Sequence, residues 1–225
     1  MEMYMLGKIA DEVGRRLAVW GLPIATWDMA RSCGKLYAGR LTRNLPQFHT
    51  HIGLTPFSPS PRNINHDVTQ PMPLKECIDI YQSEDVFEHV AYEKLPQIFA
   101  YVHAVLKPGG LFRMSVPDYR FDVYRDRSVK DGDRFVFDPV GGGKYENGVV
   151  TGGGHLWFPT YESVTALASA SPFSKWDVLE GYGPDGSAII KPVDESYGRV
   201  LRTSYRDPRV SDRPRPLSII IDLWK

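Results

Sequence analysis

Ile78-Asp79-Ile80-Tyr81-Gln82-Ser83-Glu84-Asp85-Val86-Phe87-Glu88-His89-Val90 decides how the chain is read. Its first five residues read as a strand, and a helix is predicted shortly beyond, over 93–106. There Leu95, Ile98, Phe99, Val102, Val105 and Leu106 share one face. Pro96 falls in the first turn, where a missing N–H costs nothing. Lys107-Pro108-Gly109-Gly110 stops the helix, a second strand is predicted over 111–116, and Pro117-Asp118 ends it. A strand, a helix and a strand in succession are the unit of a parallel sheet covered by helices.

The pattern extends both ways. Upstream, strands are predicted over 35–38, running into Gly39, then over 48–52 and 63–68; a loop with Pro56, Pro59 and Pro61 occupies 53–62. Further upstream, Leu6, Ile9, Val13 and Leu17 fall on one helical face, and a short helical piece near 27–31 is stopped by Gly34. Downstream, residues 120–154 are polar and carry two triple-glycine runs, Gly141–Gly143 and Gly152–Gly154. So long a stretch without clear structure reads as a lid, a substrate loop or an insertion. Thr160 is placed to cap a helix bearing Val164, Leu167 and Ala168. The last strands are predicted over 176–179 and 219–224, with six arginines between them from Arg199 to Arg215. The expected organisation is a helical segment over 1–34 and an α/β domain over 35–225, with a glycine-rich insertion at about 120–154. Strand–helix alternation implies a Rossmann-like, doubly wound, mostly parallel sheet with helices on both faces.

Composition narrows the function classes. Lys plus Arg number 27 and Asp plus Glu 27, so the chain lacks the positive footprint that nucleic-acid binding needs. Cys33 and Cys77 show no metal-ligand spacing and read as thiols of a reducing compartment. The opening residues mix acids and bases without an apolar run, and nothing approaches the roughly 18 apolar residues of a membrane span. A cytoplasmic protein with no nucleic-acid and no membrane partner is expected.

In a doubly wound sheet the ligand binds beyond the carboxyl ends of the strands, where strand order reverses. That topology singles out Gly39, His51–Leu54, Asp67, Gln82–Asp85 and Asp118. The quoted run, the Leu106-Lys107-Pro108-Gly109-Gly110 ending and Phe112-Arg113-Met114-Ser115-Val116-Pro117-Asp118 together resemble the fourth-strand to fifth-strand segment of class I S-adenosylmethionine-dependent methyltransferases, of the type-11-like group. His66-Asp67-Val68-Thr69-Gln70-Pro71-Met72-Pro73-Leu74 resembles their third-strand motif. His155-Leu156-Trp157 and the closing segment Arg202-Thr203-Ser204-Tyr205-Arg206-Asp207 to Leu217–Asp222 are similar to the same enzymes. The resemblance implies an antiparallel last strand and S-adenosylmethionine as cofactor. It implies a set of cofactor-binding residues: Gly39, His51, Gly53, Asp67, Val68, Ser83, Glu84 and Asp85. Asp67 would face the adenine amino group.

The start of the pattern departs from the family. Leu36-Tyr37-Ala38-Gly39-Arg40-Leu41 has Leu41 where a second glycine is expected, Arg40–Pro46 are too few for a full helix, and the second strand ends His51-Ile52-Gly53 without an acid. Glycine lets the backbone approach a cofactor, and a helix N-terminus supplies N–H donors. Arg40 or Arg43 would be the substitute, pairing with the ligand carboxylate.

His89, Asp118 and His155 are the candidate catalytic bases, set beside plainer roles as helix-end or turn residues. Ser83, Glu84 and Asp85 either cap the short helix 86–90 or meet a cationic ligand. His49, His51 and His66 fix no third ligand by spacing, so no metal site is assigned. Gly141-Gly142-Gly143-Lys144 lacks the strand and hydroxyl of a phosphate loop. The expected function is methyl transfer to a hydroxyl or amine of a small molecule or glycan; the alternative is a non-catalytic methyltransferase-fold scaffold.

Overall fold

The computed structural model describes residues 24–57, 59–210 and 212–225. Residues 1–23 of the expected N-terminal segment lie outside the described residues. The first described helix, α1, spans Trp27–Cys33; Thr26 Oγ1 accepts from Met29 N, and Gly34 ends it at φ 70°. Glycine is required there: a Cβ on Gly34 would sit 2.3 Å from Asp79 Oδ2.

Strands β1 (Lys35–Ala38), β2 (Ile52–Thr55), β3 (Asn63–Asn65) and β4 (Ile78–Glu84) lead to helix α2 (Leu95–Val105) and strand β5 (Leu106–Pro117). Helix α3 (Asp122–Arg127) and two hairpins follow, β6 (Val129–Asp131) with β7 (Arg134–Phe137) and β8 (Lys144–Glu146) with β9 (Val149–Thr151). Helix α4 (Tyr161–Ala170) precedes β10 (Lys175–Tyr182), β11 (Ala188–Ile190) and β12 (Ser218–Trp224). The main sheet has the order β11-β10-β12-β5-β4-β1-β2-β3. Strands β3, β2, β1, β4 and β5 are mutually parallel, while β12 runs antiparallel between β5 and β10. This is the Rossmann-like winding with an antiparallel last strand, and order reverses between β1 and β4.

The two faces of the sheet differ. One carries the apolar side of every long strand, among them Leu36, Tyr81, Phe112, Met114, Ile219 and Ile221, and is covered by α1, α2 and α4 through Ala30, Phe99, Val102, Val164 and Leu167. Phe112 packs edge-on against Tyr81, Phe87 and Phe99. The other face is polar, because strand register aligns Tyr37, Gln82, Arg113 and Asp222 in one row and Glu84, Ser115, Ile220 and Glu180 in the next. Among the described residues that face carries 3-10 turns and irregular chain where α-helices were expected.

The cover on the polar face is held by its backbone. The Arg113 guanidinium pairs with both Asp222 carboxylate oxygens at 2.7 and 2.6 Å and donates to the carbonyls of Asp194 and Gly198, each at 2.7 Å. Gln82 donates to the Arg199 carbonyl at 2.8 Å, as does Gln47. Glu180 accepts from Ser204 N at 2.8 Å and Ser204 Oγ at 3.0 Å. Irregular chain can be buried here because buried side chains satisfy its polar groups.

Two expectations are corrected. The second strand is Ile52–Thr55, not 48–52; Pro46–His49 form a 3-10 turn instead, opened by a proline whose fixed φ favours it. Residues 120–154 are not structureless. Asn147 and Gly148, at φ 52° and 80°, form the tight turn of the β8–β9 hairpin, a sequence signal for that turn type.

Candidate functional site

The site lies beyond the carboxyl end of β4, beside the reversal in strand order. Asp85 turns the chain out of the sheet at φ 51°, a left-handed conformation that Asp tolerates, and residues Phe87–His89 form a 3-10 turn. No side chain caps that turn, so the expected capping role of Ser83 and Asp85 is absent. The 3-10 turn is anchored from the far side of the glycine-rich insertion: Leu156 N donates to the Glu88 carbonyl at 2.8 Å and Trp157 Nε1 to the Phe87 carbonyl at 2.8 Å. These bonds bring His155 to His89, their rings 4.8 Å apart and nearly perpendicular.

Glu88 lies beneath the two histidines. It is fully buried, and neither carboxylate oxygen has a hydrogen-bond partner. Burial, and then the Asp85 charge, push its carboxyl well above the usual carboxylate range. The Nε2 atoms of His89 and His155 each stand 3.8 Å from Glu88 Oε1.

The other ring nitrogens are committed. His89 Nδ1 lies 2.8 Å from the Gly153 carbonyl, which only accepts, so Nδ1 carries a proton and the neutral ring has its lone pair on Nε2. His155 Nδ1 meets the Tyr119 hydroxyl, which donates to Asp138 Oδ2 at 2.8 Å; Arg127 donates to the same oxygen at 2.6 Å. Burial opposes charge on Asp138, but the bonds from Arg127 and Tyr119 hold its carboxyl below the ordinary value. With Tyr119 donating to that carboxylate, His155 Nδ1 donates to Tyr119 and its Nε2 is also free. Burial, then neighbouring His89, lower the His155 pKa to about 4, so the ring is neutral near pH 7.

The triple glycines explain this packing. A Cβ on Gly141 would lie 2.8 Å from the His155 ring, and one on Gly154 would lie 2.6 Å from the Gly142 carbonyl. Beside His155 a cavity of about 670 Å³ opens between the hairpins and Trp157–Phe158, with Phe135 and Val150 in its wall.

Of the remaining expected residues, Gly39, Ser83, Glu84 and Asp85 lie together at the adjacent carboxyl ends of β1 and β4, and the others lie apart from them. Gly39 ends β1 at φ 115°, next to the Tyr37 ring and Val86. Ser83 Oγ and Asp85 Oδ1 are buried without hydrogen-bond partners, and Asp85 is ion-paired to Arg202. Glu84, whose carboxyl burial raises to about 7, accepts Arg202 N at 2.7 Å and Leu201 N at 3.0 Å. The chain itself therefore occupies that carboxylate. Asp67 is exposed and accepts from Thr69 N at 2.9 Å, and Val68 is half-buried against the core.

His51 and Gly53 are not at a strand's carboxyl end. His51 precedes β2 at the opposite sheet edge, buried, with burial, then Lys35 and Arg62, lowering its pKa to about 4. Gly53 is inside β2, where a Cβ would meet Asn63 Oδ1 at 2.1 Å; Asn63 in turn bonds Leu41 N and O. The misplaced strand end caused both assignments. Asp118 accepts Arg120 N at 2.9 Å and Tyr182 N at 2.7 Å, tying the end of β5 to β10. Arg40 and Arg43 are exposed on the β1–β2 connection. Tyr119, Arg127 and Asp138, which orient His155, were not singled out by the sequence; only the paired triple glycines signalled a close approach there.

No family model matches the chain, and no curated protein does. Among solved structures it is similar to an S-adenosylmethionine-dependent methyltransferase of Methanosarcina mazei, at 13% identity over 85% of this chain and 91% of that one, TM-score 0.49. It is also similar to the 1,6-didemethyltoxoflavin-N1-methyltransferase of Burkholderia thailandensis, at 13% identity over 99% and 77%, TM-score 0.48. A third likeness is a methyltransferase of Mesorhizobium loti, at 15% identity over 85% and 90%, TM-score 0.47. The Rossmann-like class of this chain stands on its own strand order. No described helix is long and apolar enough to cross a membrane.

Proposed function

We propose that the protein transfers a methyl group from S-adenosylmethionine to a hydroxyl or amine of a small molecule or glycan. The observation that carries the reading is the set of buried, unpartnered polar atoms at the switch point: Ser83 Oγ, Asp85 Oδ1 and both oxygens of Glu88. Buried polar groups are normally hydrogen-bonded, so orphans gathered at a strand end fit a ligand bearing N–H, O–H or cationic groups. Gly39, Asp67, Ser83 and Asp85 would hold such a ligand. The cofactor, when bound, supplies an electrophilic methyl group.

The chain's own part is positioning and proton acceptance. The cavity beside His155 suits the acceptor, and the free lone pairs on His89 Nε2 and His155 Nε2 take its proton. Tyr119, Asp138 and the Gly153 carbonyl fix both imidazoles in the tautomer that leaves Nε2 open. Calorimetric titration with S-adenosylmethionine and S-adenosylhomocysteine tests the reading. Saturable binding on the order of micromolar supports it, and absence of binding at millimolar ligand overturns it.

The second reading is a methyltransferase-fold scaffold without catalysis. Glu84 favours it, because its carboxylate is already taken by the backbone of Leu201 and Arg202. Absence of cofactor binding with an intact fold is what this alternative expects.

A further inference from the structure

We propose that Glu88, His89 and His155 form a binding site for a divalent transition-metal ion. One ligand atom from each residue lies within 4.8 Å of the other two. A tetrahedral ion with bonds of about 2.1 Å places its ligand atoms about 3.4 Å apart. The two gaps of 3.8 Å, from Glu88 Oε1 to each histidine Nε2, close with shifts of a few tenths of an ångström. The two histidine ligand atoms, within 4.8 Å of each other, have further to close, by rotation of the half-exposed His89 ring.

Three independent features point to a cation. Glu88 has no hydrogen-bond partner, whereas its neighbours Asp138 and Asp85 are paired with Arg127 and Arg202. An unpaired buried carboxylate is costly, and an ion between it and two imidazoles removes that cost. Next, each histidine presents Nε2 because Nδ1 is engaged, on the Gly153 carbonyl or on the Tyr119–Asp138–Arg127 chain. Such outer bonds orient histidine ligands and fix their tautomer. Finally, the His89 side chain is 34% exposed while Glu88 is closed off, which leaves an entry path and open coordination positions.

Two imidazoles and one carboxylate suit zinc, cobalt or iron(II) over magnesium or calcium, which prefer all-oxygen sites. With three protein ligands the ion keeps a position for water or substrate, and one of its ligands, His155, also lines the large cavity. The inference goes beyond methyl transfer and stands whether or not the chain binds S-adenosylmethionine. An ion held on the two Nε2 atoms takes the lone pairs that proton acceptance needs, so the metal-bound and proton-accepting states of the site exclude each other.

The test is titration of chelator-treated protein with Zn²⁺ by calorimetry and with Co²⁺ by visible absorption. The expected result is one ion per chain with Kd on the order of 1 μM or tighter, with d–d bands of a low-symmetry site. His89→Asn, at a half-exposed position, should leave the thermal melt of the metal-free protein unchanged and weaken Zn²⁺ at least ~100-fold, as expected for a direct ligand. Asp138→Asn should weaken it roughly 10- to 100-fold through His155. Failure of the wild type to bind at millimolar Zn²⁺ overturns the site. So does binding that is unchanged in His89→Asn, which would place the ion elsewhere, for example on His49 or His66.

Discussion

At the residue scale, the polar face of the sheet turns on a few buried charges whose partners are far away in sequence. Arg113 is wholly buried and makes all four of its bonds to residues 81–109 positions downstream. Arg113→Ala leaves Asp222 buried and unpaired and frees two carbonyls, so a loss of about 3–5 kcal/mol is expected by urea unfolding. A loss below about 1 kcal/mol would mean that the pair is solvated.

Glu180 gives a pH prediction. Burial is the main cause of its pKa rising to about 7, above the ordinary 4.5, so the folded state binds the proton more tightly. The stabilisation this gives is complete below pH 4.5 and is lost as pH rises towards 7. Glu180→Gln should therefore flatten the fall in Tm between about pH 4.5 and 7 relative to wild type; an identical slope would refute the assignment. The sequence presents all of these residues, but nothing local marks Arg113, Asp222 or Glu180 as partners.

At the element scale, local chemistry explains most of what forms. Thr160 caps α4 by accepting from Ser163 N, and Ser163 returns the bond to Thr160 N at 2.9 Å. Thr160→Ala should cost about 1 kcal/mol, read from thermal melts, with α4 still packed through Val164 and Leu167. Helix α2 and strands β1, β4 and β12 were legible to within two residues, because apolar periodicity, Pro96 and Gly34 act over short range. The second strand was not, because Phe48–Ile52 has the composition of a strand and only the turn after Pro46 displaces it.

The two hairpins were missed for the opposite reason. Their glycine-rich composition hides short strands, and only Asn147-Gly148 betrays one. Gly141 tests why those glycines are there. Gly141→Ala places a methyl against the His155 ring and should cost about 1–3 kcal/mol, with His155 displaced. An unshifted His155 imidazole resonance in NMR would show that the hairpin yields instead.

At the scale of the whole molecule, the sheet has a helix-packed apolar face and a polar face closed by irregular chain. Protection from hydrogen exchange should follow bonding, not secondary structure. The amides of Leu201, Arg202 and Ser204, bonded to Glu84 and Glu180, should exchange as slowly as amides of β4. Exchange there at free-peptide rates would show that the segment lifts from the sheet and leaves the switch point open. The result also bears on function, since this segment occupies the carboxylate of Glu84.

The sequence by itself determined the winding of the sheet, the helix after β4 and the Glu88-His89 pair, since each rests on periodicity or on neighbours close along the chain; the antiparallel final strand was legible only through the family resemblance. Tertiary structure alone decided that His155 meets His89 across the insertion, and that Asp118 and Glu84 bind backbone. It alone decided, too, that His51 faces the wrong sheet edge and that the arginine-rich segment before β12 seals the polar face. Those outcomes depend on contacts between residues tens of positions apart, whose register is fixed only when the whole sheet assembles.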